Sequence, residues 1–116
     1  MKTIENWLQH EFESSSTLTP EFAAFYRNMK SYLKKQLAQE FNFTVSRGHF
    51  EFSGFAQNKA TGLWAYFSAS DIRYWPDGWY HNLLIRTAEH GKDYRGGCNQ
   101  ETSLNSLKEK LLEITI

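Results

Sequence analysis

The sequence predicts an α+β fold, a single domain over residues 1–116 in the order α-α-β-β-β-β-α. Its four-stranded antiparallel sheet is expected to carry the helices mainly on one face. Three observations lead there. Apolar residues in roughly the first forty positions recur at helical spacing, from Phe41 the period switches to two, and after about residue 103 it returns to helical. The connections between the period-two segments are short, which favours an antiparallel meander over crossover topology. At 116 residues with 16% aromatic content, the chain buries roughly two-thirds of its unfolded surface and needs no disulfide or metal to close a core.

A first short helix is expected over residues 4–13. Thr3 caps it, and Ile4, Trp7, Leu8 and Phe12 share one side. The Glu13-Ser14-Ser15-Ser16-Thr17 run ends it, because these side chains compete with the helix for backbone hydrogen bonds. A second helix starts at Thr19-Pro20-Glu21, with threonine as cap, proline in the first turn and an acidic residue beside it. Phe22, Phe25, Tyr26, Met29, Leu33 and Leu37 step along one face to about Glu40, while Arg27, Lys30, Lys34 and Lys35 lie mostly elsewhere.

The strands follow. Phe43 and Val45 alternate with Thr44, and Arg47-Gly48 turns the chain. Phe50 and Phe52 alternate with His49, Glu51 and Ser53, and Gly54 within that strand marks a bulge or a close backbone approach. Asn58-Lys59-Ala60-Thr61-Gly62 makes the next reversal. The third strand sets Leu63, Ala65, Phe67 and Ala69 on one face and Trp64, Tyr66 and Ser68 on the other, which predicts a central strand covered on both sides. Pro76-Asp77-Gly78 is a turn between Tyr74-Trp75 and Trp79-Tyr80, leading to a fourth strand over 79–88. A last helix over about 103–114 carries Leu104, Leu107, Leu111 and Ile114 on one face.

Composition narrows the function classes. Thirteen basic residues balance thirteen acidic ones, which argues against a general phosphate-backbone binder and against a DNA mimic working by charge alone. One cysteine, Cys98, excludes an intramolecular disulfide. No apolar run approaches the roughly 20 residues of a membrane span, and acidic residues interrupt the N-terminal stretch where a signal peptide would be apolar. A cytoplasmic protein without cofactor is the expectation.

The stretch 62–97 holds three of the four tryptophans and the richest set of candidate binding residues. Trp75 and Trp79, flanked by Tyr74 and Tyr80, are expected at a hairpin tip, where large aromatics either fold back over core or meet a partner. Asp71 and Arg73 share a side in extended chain, and Arg86 on the next strand is expected near them, as an anion anchor or as a salt bridge fixing the hairpin. The polar loop with Asp93, Tyr94 and Arg95 before Gly96-Gly97 is read either as an anion cradle or as a structural turn whose Tyr94 plugs into the core. It lacks nucleotide-loop spacing. His10, His49, His81 and His90 have no metal-ligand spacing, and Cys98 lacks a signature for nucleophilic catalysis.

The segments SASDIRYW, LLIRTA and KDYRGGCN, in that order, resemble small accessory proteins of mobile genetic elements in Gram-positive bacteria, over about residues 54–112. That resemblance implies no catalytic residues. It implies a non-enzymatic inhibitor of antirestriction or anti-CRISPR kind that binds a host defence nuclease or its nucleic-acid complex, and the aromatic tip read from the residues above is the expected docking element. Two alternatives stand beside it. One is a single-stranded nucleic-acid binder in which Tyr66, Trp75 and Trp79 stack bases and Lys30, Lys34 and Lys35 follow phosphates. The other is a small enzyme at the 93–97 loop using Asp71, Arg86, His90 or Cys98.

Overall fold

A computed structural model describes residues 6–7, 20–48, 51–69, 83–95 and 98–116, apart from the side chain of Glu21. Its elements are helix α1 (Pro20–Leu37), strands β1 (Phe41–Arg47), β2 (Phe52–Asn58), β3 (Trp64–Ala69), β4 (Leu83–Ala88) and β5 (Gln100–Thr102), a 3₁₀ turn (Leu104–Ser106) and helix α2 (Leu107–Ile114). Asn6 and Trp7 are also helical. The architecture is α+β, and the five strands form one antiparallel meander in the order β1-β2-β3-β4-β5. The expected sheet of four strands is therefore one strand short. Gln100-Glu101-Thr102 pairs with β4 through Leu83↔Thr102 and Ile85↔Gln100, and so short a segment carries no alternation that reveals it.

The helical stripe of α1 is buried as its spacing predicts. Phe22, Phe25, Met29, Leu33 and Leu37 are fully enclosed, and Tyr26 lies half-buried at the margin. They pack on the inner face of the sheet, to which β1 presents Phe41, β2 Phe52 and Ala56, β3 Ala65, Phe67 and Ala69, and β4 Leu83 and Ile85. Leu104, Leu107 and Leu111 join the same cluster from the C-terminal elements, and Trp7 meets Phe25 edge-on at 5.6 Å. Leu63, expected on the inner face, precedes β3 and is exposed.

Gly54 resolves the choice between a bulge and a close approach. The β1–β2 register runs unbroken through Val45↔Gly54, so there is no bulge. A Cβ at Gly54 would collide with the carbonyl oxygen of Thr44 and with the ring of Phe67. Glycine is required because the Phe67 ring and a neighbouring backbone fill that space.

The β2–β3 turn is held by Asn58, which is buried. Its Oδ1 accepts from the N–H groups of Ala60 (2.8 Å) and Thr61 (3.3 Å), and Gly62 takes a φ of 76° to complete the reversal. Its Nδ2 donates to the carbonyl (3.3 Å) and Oγ1 (3.1 Å) of Thr115, a residue with no solvent exposure. Thr61 Oγ1 donates to the same carbonyl at 2.7 Å. One side chain thus ties a hairpin turn to the end of α2.

Candidate functional site

The face of the sheet away from the helices is where side chains with binding chemistry converge. Strand pairing arranges it in rows, about 7 Å apart along each strand. One row is Asn42, Gln57, Trp64 and Ala88; the next is Thr44, Phe55, Tyr66 and Arg86; the third is Ser46, Ser53, Ser68 and Leu84. Phe55 faces this side because it stands three residues after inward-facing Phe52, an odd step in a strand.

The middle row forms an aromatic and cationic ladder. The rings of Phe55 and Tyr66 are 5.1 Å apart, and the Arg86 guanidinium lies 4.2 Å from the Tyr66 ring centre. Tyr94 closes over the pair from the loop after β4, edge-on to Phe55 at 5.2 Å and to Tyr66 at 6.2 Å. Phe55 is thereby buried on a face that none of the described helices covers, whereas Tyr94 stays 69% exposed. Edge-to-face geometry of this kind fixes ring orientation as well as adding attraction.

The loop that carries Tyr94 is built by its own polar groups. The Asp93 carboxylate accepts from the N–H of Glu89 (2.9 Å) and of Arg95 (3.0 Å), and His90 Nδ1 accepts from the N–H of Lys92 (3.1 Å). Arg86 is buried and anchors the loop to the sheet by donating to the Asp93 carbonyl at 2.8 Å and to its neighbour's carbonyl, Thr87, at 3.3 Å. The Trp64 ring lies against Gly91. Two adjoining clefts flank Tyr94. A larger one of ≈ 380 Å³ is floored by Ser46, Ser53 and Ser68 and bounded by Tyr66 and Glu51. A smaller one of ≈ 270 Å³ lies between Thr44, Phe55 and Lys92. Their lining combines hydroxyl and aromatic groups with the charged residues Arg47, Glu51 and Lys92, suited to hydrogen bonding and stacking.

Several expectations are revised by this geometry. Tyr94 does not plug the loop into the core; it caps the opposite face of the sheet, because the core side is already filled by α1 and α2. Arg86 serves a tyrosine ring and a loop carbonyl. Tyr66 and the lysines Lys30, Lys34 and Lys35 lie on opposite sides of the sheet, since α1 packs on the inner face. A single nucleic-acid track using both is therefore not formed. Asp93 and Arg95 are in the loop as expected, with the Asp93 carboxylate engaged in holding its backbone. Trp75, Trp79, Tyr74, Tyr80, Asp71 and Arg73, with the Pro76-Asp77-Gly78 turn, lie outside the described residues, as do Gly96, Gly97, His10, His49 and His81. Cys98 and His90 are both exposed. Among the described residues no group of three His, Cys, Asp or Glu could hold a metal ion, and no helix is long and apolar enough to cross a membrane.

Sequence reasoning missed the serine row and Phe55. The signal was the pairing itself, because Ser46, Ser53 and Ser68 align only once the register is known.

Comparison with family models, curated proteins and solved structures finds no match to this chain.

Proposed function

We propose that the protein is a non-enzymatic binding protein that docks a protein partner on the open face of its sheet, around Tyr94. The observation that carries this reading is the state of Tyr94, which is 69% exposed yet held in one orientation by Phe55, Tyr66 and a loop with its own internal clamps. A large amphipathic side chain fixed before binding loses little entropy on association, and tyrosine and arginine dominate interface hot spots. The narrower form of the proposal is an inhibitor from a mobile element that docks on a host defence nuclease. Its support is the resemblance carried by SASDIRYW, LLIRTA and KDYRGGCN, the last two of which supply Arg86, Asp93 and Tyr94 to this face.

The test uses wild type and Tyr94→Ala as paired baits in bacterial lysate, with mass spectrometry of the captured proteins. A stoichiometric protein retained by wild type and lost by the variant supports the reading, and a nuclease whose cleavage the wild type blocks supports its narrower form. Equal capture by both baits removes Tyr94 from the interface.

A second reading has its own observation: Lys92 and Arg95 are exposed on either side of Tyr94, the arrangement of a small base-stacking platform. Oligonucleotide titration separates the two, because phosphate contacts weaken as salt rises. No binding even at low salt eliminates it.

A further inference from the structure

The strand β1 is an edge of the sheet, and its backbone is parcelled between two sides. Lys59 N–H donates to the Glu40 carbonyl, and Gly48 N–H donates to that of Glu51, at 2.9 and 3.0 Å. Both pairs belong to the β1–β2 register, in which partner numbers advance and fall together through Phe41↔Asn58 and Arg47↔Phe52. The even-numbered residues of β1 therefore exchange both hydrogen bonds with β2. By antiparallel alternation, the N–H and C=O groups of Phe41, Phe43, Val45 and Arg47 point away from the sheet.

Among the described residues, one side chain reaches that edge. The Tyr26 hydroxyl donates to the Val45 carbonyl at 3.0 Å, and burial raises its pKa, with the Arg47 charge working in the other direction. Apart from Arg47 at its end, the strand has, among the described residues, few of the devices that blunt an edge. It contains no proline, its register has no bulge, and its outward side chains Asn42, Thr44 and Ser46 are uncharged and exposed. Phe43 and Val45 are only half-buried although they face the core side.

The chemistry beside the edge selects an occupant. Tyr26 and Lys30 stand one helical turn apart on the flank of α1 that meets β1. Arg47 Cζ and Lys30 Nζ each lie 5.7 Å from the centre of the Tyr26 ring. The ion pairs among the described residues are Lys108–Glu40 and Lys110–Glu113, so neither cation has a carboxylate there. Two positive charges thus lie within 5.7 Å of one ring centre, beside a row of outward backbone donors and acceptors. Alternate residues of an extended chain are about 7 Å apart on one face, a spacing that lets two carboxylates at i and i+2 meet the two cations.

We propose that the free edge of β1 is a docking strand for an extended acidic segment of a partner protein. The segment adds to the sheet as a sixth strand and places carboxylates at alternate positions against Arg47 and Lys30. Backbone pairing supplies the attachment and the cations supply the choice of partner. The edge adjoins the Tyr94 face, since Arg47 also borders the larger cleft beside Tyr94 and Val45 the smaller one. Lys30 lines neither cleft, so Lys30→Glu alone tests the edge without altering that face.

The probe is a fluorescent peptide alternating Glu with Val, compared with a scrambled peptide of the same composition and with a Lys-for-Glu version, using the full chain and anisotropy. Wild type is expected to bind the alternating peptide at least tenfold tighter than either control, and more weakly as salt rises. Val45→Pro removes one outward N–H without touching the β2 ladder and should abolish binding. The double variant Lys30→Glu and Arg47→Glu leaves the strand intact and should transfer preference to the Lys peptide. Equal binding of alternating and scrambled peptides overturns the proposal, as does unchanged preference in the charge-reversed variant. A concentration-dependent dimer that Val45→Pro dissolves also overturns it, because the occupant is then a second copy of the chain.

Discussion

Replacing Asn58 by alanine removes four hydrogen bonds from one buried position. Two of them are from turn N–H groups and two go to Thr115. Ala60 and Thr61 are exposed, so their N–H groups recover water bonds and their loss costs little. The Thr115 side is different. Its carbonyl keeps the bond from Thr61 Oγ1, and its hydroxyl still donates to Leu111 at 2.6 Å, which spares the variant a fully orphaned group. Counting about 1 kcal/mol for each Thr115 bond and a fraction of that for the turn gives a cost of roughly 2–3 kcal/mol. With an unfolding entropy of about 2.1 cal/mol/K per residue, that lowers Tm by roughly 8–12 °C in a domain of this length. Thermal and urea melts of Asn58→Ala, Thr115→Val and the double variant measure it. The pair should couple by about 1 kcal/mol, with each single loss exceeding its share of the double. A Tm change under about 2 °C for Asn58→Ala, or strict additivity, would refute the reasoning that this latch joins the hairpin turn to the C-terminal helix.

Three other outcomes follow from the two faces of the sheet. Gly54→Ala places a methyl group against the Thr44 backbone and the Phe67 ring and should cost about 3 kcal/mol or more, read from a urea midpoint; a neutral result would mean that β1 and β2 can part without penalty. Tyr94→Ala should change Tm by no more than about 3 °C, since the ring is mostly exposed and loses only its edge contacts with Phe55 and Tyr66, while costing about 2 kcal/mol of partner affinity by calorimetry. Arg86→Lys keeps the charge but loses the planar stack on Tyr66 and the reach to the Asp93 carbonyl. Hydrogen exchange should then quicken at least tenfold in residues 89–95 and stay unchanged in β2, and uniform protection would show the loop to be held by Asp93 alone.

How much of this was legible depended on whether a residue's partner was local. The helix from Pro20 was readable because its cap-side proline and its apolar spacing both act within a turn of the chain, and all the apolar residues chosen for its stripe are on the buried side. The last helix was placed correctly, but its first turn is 3₁₀, with the Ser103 hydroxyl accepting from Ser106 N–H. Strand β5 was missed because it is defined by what β4 offers it. One of the two readings of Tyr94 put it in the core because a tyrosine in a polar loop signals burial somewhere, and only the register of Phe55 with Tyr66 tells which side of the sheet receives its ring. The contact of Arg86 with Tyr66 was similarly hidden, because its ring partner is twenty positions away; its expected neighbours Asp71 and Arg73 lie outside the described residues. The α+β class survived these errors, since it needed only the change of period at Phe41 and its return after β5.

The meander order has a consequence for how the chain reaches this structure. Each strand pairs with its sequence neighbours, so every pairing closes a comparatively short loop and little chain entropy is spent before contacts form. The link between Asn58 and Thr115 spans 57 positions and can form only after α2 has docked. The sheet is thus assembled from its turns outward, and the latch closes late. Weakening Asn58 then accelerates escape from the native state far more than it delays arrival, making the C-terminal turn the point from which the protein comes apart.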